Sequence, residues 1–171
     1  WSEERKGSWR CDATVGIEKP SPGLATLPPV AGAAGAAAGG GAGLVAVTSV
    51  GDLGVRVVDV EARAVVARLS AAGATKPNYG VCALPDGRLV TGEYGGSSPC
   101  AVRLWDMRAG RSVGQLDGHT HATYLTAMLA DNRTFVTPSW DHTVRAWDVA
   151  AMRLLCVLRH PNSVFSVAAL A

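Results

Sequence analysis

The residues whose types could hold a metal ion or move a proton are four histidines, His119, His121, His142 and His160, and four cysteines, Cys11, Cys82, Cys100 and Cys156. No two cysteines stand as C-x-x-C, the spacing with which short loops grip zinc. Cys82, Cys100 and Cys156 lie in apolar, strand-like runs, where a thiol packs as a small hydrophobe. Buried free thiols in a reducing compartment are therefore expected. Asp141, His119 and Thr137 supply the carboxylate, imidazole and hydroxyl of a nucleophile relay. They fall, however, on positions of an internal repeat, which gives them a structural reading. His121 and His142 are expected at the surface. No nucleophile elbow, phosphate loop or carboxylate pair is identifiable by spacing. Neither a catalytic residue nor a metal or cofactor site is expected.

The elements that must position these side chains show themselves by self-similarity. Thr48 to Asp59, Thr91 to Asp106 and Thr137 to Asp148 each end in one motif, VRVVD, VRLWD and VRAWD. From the closing Asp to the last apolar residue of the next run (Asp59 to Leu69, Asp106 to Leu116, Asp148 to Leu158) the step is ten residues each time. The Thr-to-Asp interval is 11, 15 and 11, so the middle copy carries four extra residues, in its Gly95-Gly96-Ser97-Ser98-Pro99 turn. Insertions of that kind are tolerated in loops.

Each copy reads as short alternating or apolar runs rich in β-branched residues, cut by turns such as Pro85-Asp86-Gly87 and Asp131-Asn132. Strands are predicted at about 79–84, 88–93, 101–106 and 111–116 in the middle copy. The innermost runs align as Asn78-Tyr79-Gly80-Val81, Thr123-Tyr124-Leu125-Thr126 and Val164-Phe165-Ser166-Val167, with an aromatic at one recurring position.

Gly118-His119, then 27 residues, then Trp147-Asp148, with Trp105 lying 42 residues before Trp147, resembles the WD40-repeat family. The resemblance covers roughly residues 44–171, weakens over 20–43 and is not visible over 1–19. It implies an all-β fold, a partial β-propeller of about three four-stranded antiparallel blades plus one inner strand of a fourth. The repeats are placed at about 20–70, 71–117, 118–159 and, truncated, 160–171, with 1–19 unassigned. It also assigns Trp147, Thr137, His119 and Asp141 to a buried hydrogen-bond chain that specifies how the blade closes. The first copy has Thr48 and Asp52 but Val58 where Trp belongs; the middle copy has Thr91 and Trp105 but neither the His nor the Asp. Those two blades are expected to depend more on apolar packing. His160, five residues before Phe165 as His119 is before Tyr124, reads as the loop histidine of a fourth repeat.

Residues 31–43 are all Ala or Gly, a flexible insertion. A strand around 23–27 would make that run a loop inside the first blade; an interdomain linker is the other reading. Three blades cannot close a ring. The chain therefore reads as a fragment of a longer protein, or as one that self-associates through open blade edges.

Sixteen Lys and Arg against fourteen Asp and Glu leave a formal charge of +2 with no block of like charge, so nothing asks for nucleic acid or an anionic membrane. No transmembrane helix is expected, and an intracellular, cytoplasmic location is. In the family the face carrying the inter-blade loops is the usual docking surface, and it maps here onto Tyr79, Tyr124, Trp140 and Phe165. The expected function is a noncatalytic protein-interaction scaffold with protein partners. A cullin-type ligase substrate receptor is the alternative, since Trp105-Asp106-Met107-Arg108 looks like the WDxR box of such receptors; a propeller enzyme is a further, weaker one.

Overall fold

In a computed structural model of the chain the described residues are 2–4, 8–10, 23–27, 43–96 and 99–169, and every regular element among them is a strand. Strands β1 (Ser2–Glu4) and β2 (Ser8–Arg10) pair with each other as a separate hairpin. The other twelve make three four-stranded antiparallel meanders. The first contains β3 (Gly23–Thr26), β4 (Leu44–Thr48), β5 (Val55–Asp59) and β6 (Ala64–Leu69). The second contains β7 (Asn78–Ala83), β8 (Arg88–Glu93), β9 (Val102–Asp106) and β10 (Arg111–Leu116). The third contains β11 (Ala127–Met128), β12 (Thr134–Pro138), β13 (Thr143–Asp148) and β14 (Arg153–Arg159). Because β3 pairs with β4, the Ala/Gly run joins the first two strands of the first sheet; residues 31–42 themselves lie outside the described residues.

Turn chemistry explains why each motif ends in Asp. The carboxylates of Asp59, Asp106 and Asp148 accept the amides of Ala62 (2.8 Å), Ala109 (3.0 Å) and Ala151 (2.6 Å). One residue later Arg63, Gly110 and Met152 adopt left-handed backbone, at φ 55, 66 and 48°. A side-chain-capped turn followed by a left-handed residue returns the chain antiparallel, and its repetition sets the constant ten-residue step.

The sheets stack face to face. Val55, Val57 and Leu69 of the first pack on Val81, Leu89 and Trp105 of the second. Leu84, Val90 and Leu104 of the second pack on Phe135, Trp147 and Val149 of the third. At the inner edge the backbones nearly touch: a Cβ on Gly80 would lie 2.6 Å from the Tyr124 carbonyl oxygen, and its φ of +48° suits glycine. Amides also cross between sheets, Asn78 N–H donating to Asp52 O at 3.1 Å and Thr123 N–H to Glu93 O at 3.0 Å.

Several expectations are corrected. Cys100 is buried and Cys82 half-buried, but Cys156 is exposed, because all of β14 forms the solvent-facing margin of the third sheet; Cys11 lies outside the described residues. The inner strand of the third sheet lies after the expected 123–126 run, at Ala127–Met128, since Thr123 gives its amide to the neighbouring sheet and joins its own by one bridge to Ser139. The fourth inner run is represented by a single parallel bridge, Leu125 to Ser166.

Candidate protein-interaction surface and the network beneath it

The ladder registers decide which side chains meet. Phe135 pairs with Trp147 and Thr137 with Arg145 across β12 and β13, so Thr137 and Trp147 share the face turned to the second sheet. Trp147 Nε1–H donates to Thr137 Oγ1 at 2.8 Å. Thr137 Oγ1 lies 2.8 Å from His119 Nε2, and His119 Nδ1 lies 2.7 Å from Asp141 Oδ2. A carboxylate only accepts, so His119 carries its proton on Nδ1 and its Nε2 accepts the Thr137 hydroxyl. Asp141 also accepts the Thr120 amide (3.1 Å) and the amide and hydroxyl of Thr143 (3.0 and 2.5 Å).

Burial pushes the His119 imidazolium pKa below its ordinary value, outweighing the hydrogen bond and charge of Asp141. Burial opposes ionisation of Asp141, yet the bonds from Thr143, His119 and Thr120 together hold its carboxyl below the usual carboxylate range. The result is a neutral imidazole beside an ionised carboxylate. Thr137 and His119 are closed off from solvent, and the Thr137 hydroxyl already serves two partners. This relay has the residue types of a catalytic triad but no route for a substrate to its oxygen.

The middle sheet keeps the same logic with a residue that sequence spacing did not reveal. Trp105 Nε1–H donates to Thr91 Oγ1 at 2.9 Å, and that hydroxyl donates to Asn78 Oδ1 at 2.8 Å. Asn78 replaces the histidine from the inner strand itself, so this blade is not the mainly apolar one expected. The first sheet is. Val47 pairs with Arg56 as Thr137 pairs with Arg145, which puts Val47, not Thr48, at the threonine position and Val45 opposite Val58. The equal Thr-to-Asp interval of the first and third copies conceals one extra residue in the first hairpin. Thr48 Oγ1 instead faces the Gly23 carbonyl at 3.5 Å.

Above the networks, the four aromatic residues singled out from the sequence come together. Tyr124 is the hub and is itself buried, at 8% exposure. Its ring lies 5.7 Å from Tyr79, 5.9 Å from Trp140 and 5.2 Å from Phe165. Two residues not foreseen extend the row: Tyr94 stacks on Tyr79 at 4.7 Å, and His121 lies 5.2 Å from Trp140. Tyr94 follows β8 immediately, and only the fold brings that position beside Tyr79. Phe165 and Tyr94 are the exposed ends, at 54% and 37%, while Tyr79, Trp140 and His121 are half-buried. Burial, followed by the neighbouring Tyr94 and Tyr79, pushes the Tyr124 phenol up to about 12.

Comparisons with known proteins show what the chain is similar to. No family profile matches the chain. It is 44% identical over 50 residues to Mitochondrial division protein 1 of Neurospora crassa, a stretch covering 29% of this chain and 7% of that protein. It is 30% identical over 83 residues to Eukaryotic translation initiation factor 3 subunit I of Bombyx mori, covering 48% of this chain and 24% of that one. Telomerase protein component 1 of Mus musculus matches at 33% over 73 residues, 43% of this chain and 3% of that protein. Among solved structures, U3-55K superimposes with a TM-score of 0.68 at 16% identity, over 86% of this chain and 42% of that one. These relatives are WD-repeat proteins and the structural neighbour is a WD-repeat propeller. The chain resembles WD-repeat proteins, in sequence over these stretches and in fold.

The matched stretches span less than a quarter of the curated relatives. The three meanders are three WD-repeat blades. The family points to a protein-interaction scaffold and is typically non-catalytic. The residues of the WDxR-like box lie at the end of β9 and in the turn that follows it. Trp105 is buried on Thr91, and Asp106 caps its turn as Asp59 and Asp148 do. Arg108 is exposed in that turn. His142 and His160 are exposed. Among the described residues no group of three His, Cys, Asp or Glu could hold a metal ion, and no helix is long and apolar enough to cross a membrane.

Proposed function

We propose that this WD-repeat chain is a noncatalytic interaction scaffold that docks a protein partner on the aromatic row Tyr94, Tyr79, Tyr124, Phe165 and Trp140. The observation that carries it is continuity: aromatic rings from all of the second and third blades and the segment after β14 touch in one unbroken row with exposed ends. Interface anchors are enriched in such side chains, which supply large apolar area with few rotatable bonds. Tyr124 acts as the buried support, and Tyr94, Phe165 and Trp140 make the contacts.

Quantitative affinity capture from cell extract, wild type against Tyr94→Ala and Trp140→Ala, tests this. Specific partners are expected to fall away in both variants while the thermal melt stays close to wild type. Partners retained by both variants would remove the surface from consideration. The ligase-receptor reading rests on Arg108: if a cullin adaptor is captured and Arg108→Ala alone abolishes it, that reading replaces a general scaffold.

A further inference from the structure

The three repeats carry the same arginine on the third strand of each blade. Arg56, Arg103 and Arg145 pair across the ladder with Val47, Thr91 and Thr137. In the first two blades the preceding hairpin provides the counter-charge, Asp52 bonding Arg56 at 2.8 Å and Glu93 bonding Arg103. In the third blade the acid of that hairpin is Asp141, and its oxygens are already engaged by His119, Thr120 and Thr143. His119 is held neutral by its burial, so Asp141 satisfies the loop histidine and leaves the arginine without an acid.

Arg145 accordingly forms no ion pair or hydrogen bond among the described residues. Its Nε is buried without a partner, as is that of Arg103, while the Arg145 side chain as a whole is half-buried. Its terminal nitrogens lie against Gly118, where φ is +141° and a Cβ would sit 2.3 Å from Nη1. Glycine thus leaves the room in which the guanidinium lies. Asp117, the residue before it, accepts the Gln115 amide at 3.1 Å and makes no ion pair with Arg145. Arg159 pairs with Thr143 across the ladder, which places a second cation on the same face of the sheet.

We infer that Arg145 is an anion receptor at the junction of the second and third blades, and that it takes the carboxylate of an acidic side chain presented by a protein partner. A planar guanidinium with no acid of its own matches a carboxylate through two parallel hydrogen bonds. Its stem and Nε are fixed in the blade, so little side-chain freedom remains to be lost on binding. The inference deepens the scaffold reading and rests on it, adding a charged contact to the aromatic one.

The test uses the full chain with ¹⁵N-labelled arginine, the Arg145 Nε–Hε resonance being assigned from Arg145→Lys. The probe is a blocked tetraglutamate peptide, with its glutamine counterpart as control. The expected result is saturable movement of the Arg145 resonance with the glutamate peptide alone, while the Arg56 and Arg103 resonances stay in place. Arg145→Gln is expected to weaken binding at least tenfold, with Arg145→Lys between. Equal movement of all three arginines, or unchanged affinity in Arg145→Gln, would overturn the assignment. Inorganic phosphate displacing the peptide at equal or lower concentration would overturn the carboxylate as the ligand. If the variants unfold, the selectivity of the wild-type titration still decides. Loss of partners in the Tyr94 and Trp140 variants does not depend on this resonance, so the two readings fail separately.

Discussion

His119 Nδ1 donates to Asp141 Oδ2 at 2.7 Å, tying the loop that enters the third blade to the turn between its second and third strands. The bond joins a neutral imidazole to a carboxylate, and each holds its pKa below the ordinary value, 6.5 for the histidine and 3.8 for the aspartate. For both groups the folded chain binds its proton less tightly than the unfolded chain does. The histidine's contribution to stability is therefore complete above pH 6.5 and is lost as pH falls through its lowered pKa. The aspartate's contribution is complete above pH 3.8 and is lost below it. Thermal melts from pH 7 downward should show two successive declines. Asp141→Ala should cost about 1–3 kcal/mol at pH 7 and make the second decline smaller, Asp86 and Asp131 also having lowered pKa values. A melt temperature independent of pH between 7 and 4 would contradict the assignment of His119 as neutral.

In the middle blade Asn78 receives the Thr91 hydroxyl at 2.8 Å in a fully buried setting. Asn78→Ala leaves that hydroxyl without an acceptor, and a loss of about 1–3 kcal/mol is expected in denaturant unfolding. Asn78→Asp keeps the acceptor but buries a charge, so its stability should recover as pH falls and the side chain protonates. An Asn78→Ala variant as stable as wild type would show that the hydroxyl finds another partner.

The first blade is dry where the other two are hydrogen-bonded. Val47 and Val58 are both buried at the positions held elsewhere by threonine and tryptophan. Val47→Thr therefore introduces a hydroxyl with no indole to receive from, and a loss of about 1–3 kcal/mol is expected. Placing threonine there at no loss of stability would mean that the register deduced for β4 is wrong.

Tyr124 has a phenol pKa of about 12, raised by burial and by the tyrosines around it. The folded state holds this proton more tightly than an ordinary tyrosine, so its contribution is complete below pH 10 and is lost as pH rises toward 12. Absorbance titration at the tyrosinate band should show one of the three tyrosines ionising last, and Tyr124→Phe should delete that step alone. An unchanged curve in the variant would remove Tyr124 from the centre of the row.

Along β14, Leu154, Leu155, Val157 and Leu158 are exposed. Such an apolar margin with a free strand edge favours association. Light scattering after size exclusion should give a mass that rises with concentration, and Leu155→Glu with Leu158→Glu should lower it. A concentration-independent monomer in wild type would leave this margin without a role.

Periodicity, turn residues and the repeated V-R-x-W-D were enough to read the strands of the middle copy within a residue of where they lie, and to read the family. Those signals are local: alternation follows from the pleat, and the closing aspartate follows from the turn it caps. The aromatic positions were legible for the same reason, because they recur at one register point of successive copies. What lay beyond the sequence depended on register and on neighbours. The one-residue offset that puts Val47 in place of Thr48 is invisible to spacing, since an added turn residue keeps the Thr-to-Asp interval at 11. Asn78 reaches Thr91 from a different strand position than the histidine it replaces, so no alignment of copies points to it. Cys156 reads as core in a run of leucines, yet its exposure is set by what packs on β14, and that is a property of the whole assembly of sheets. Tyr94 joins Tyr79 only when two strands of one blade come side by side. The absence of a counter-charge at Arg145 likewise follows from where Asp141 is spent, a matter of competing partners in three dimensions rather than of residue type.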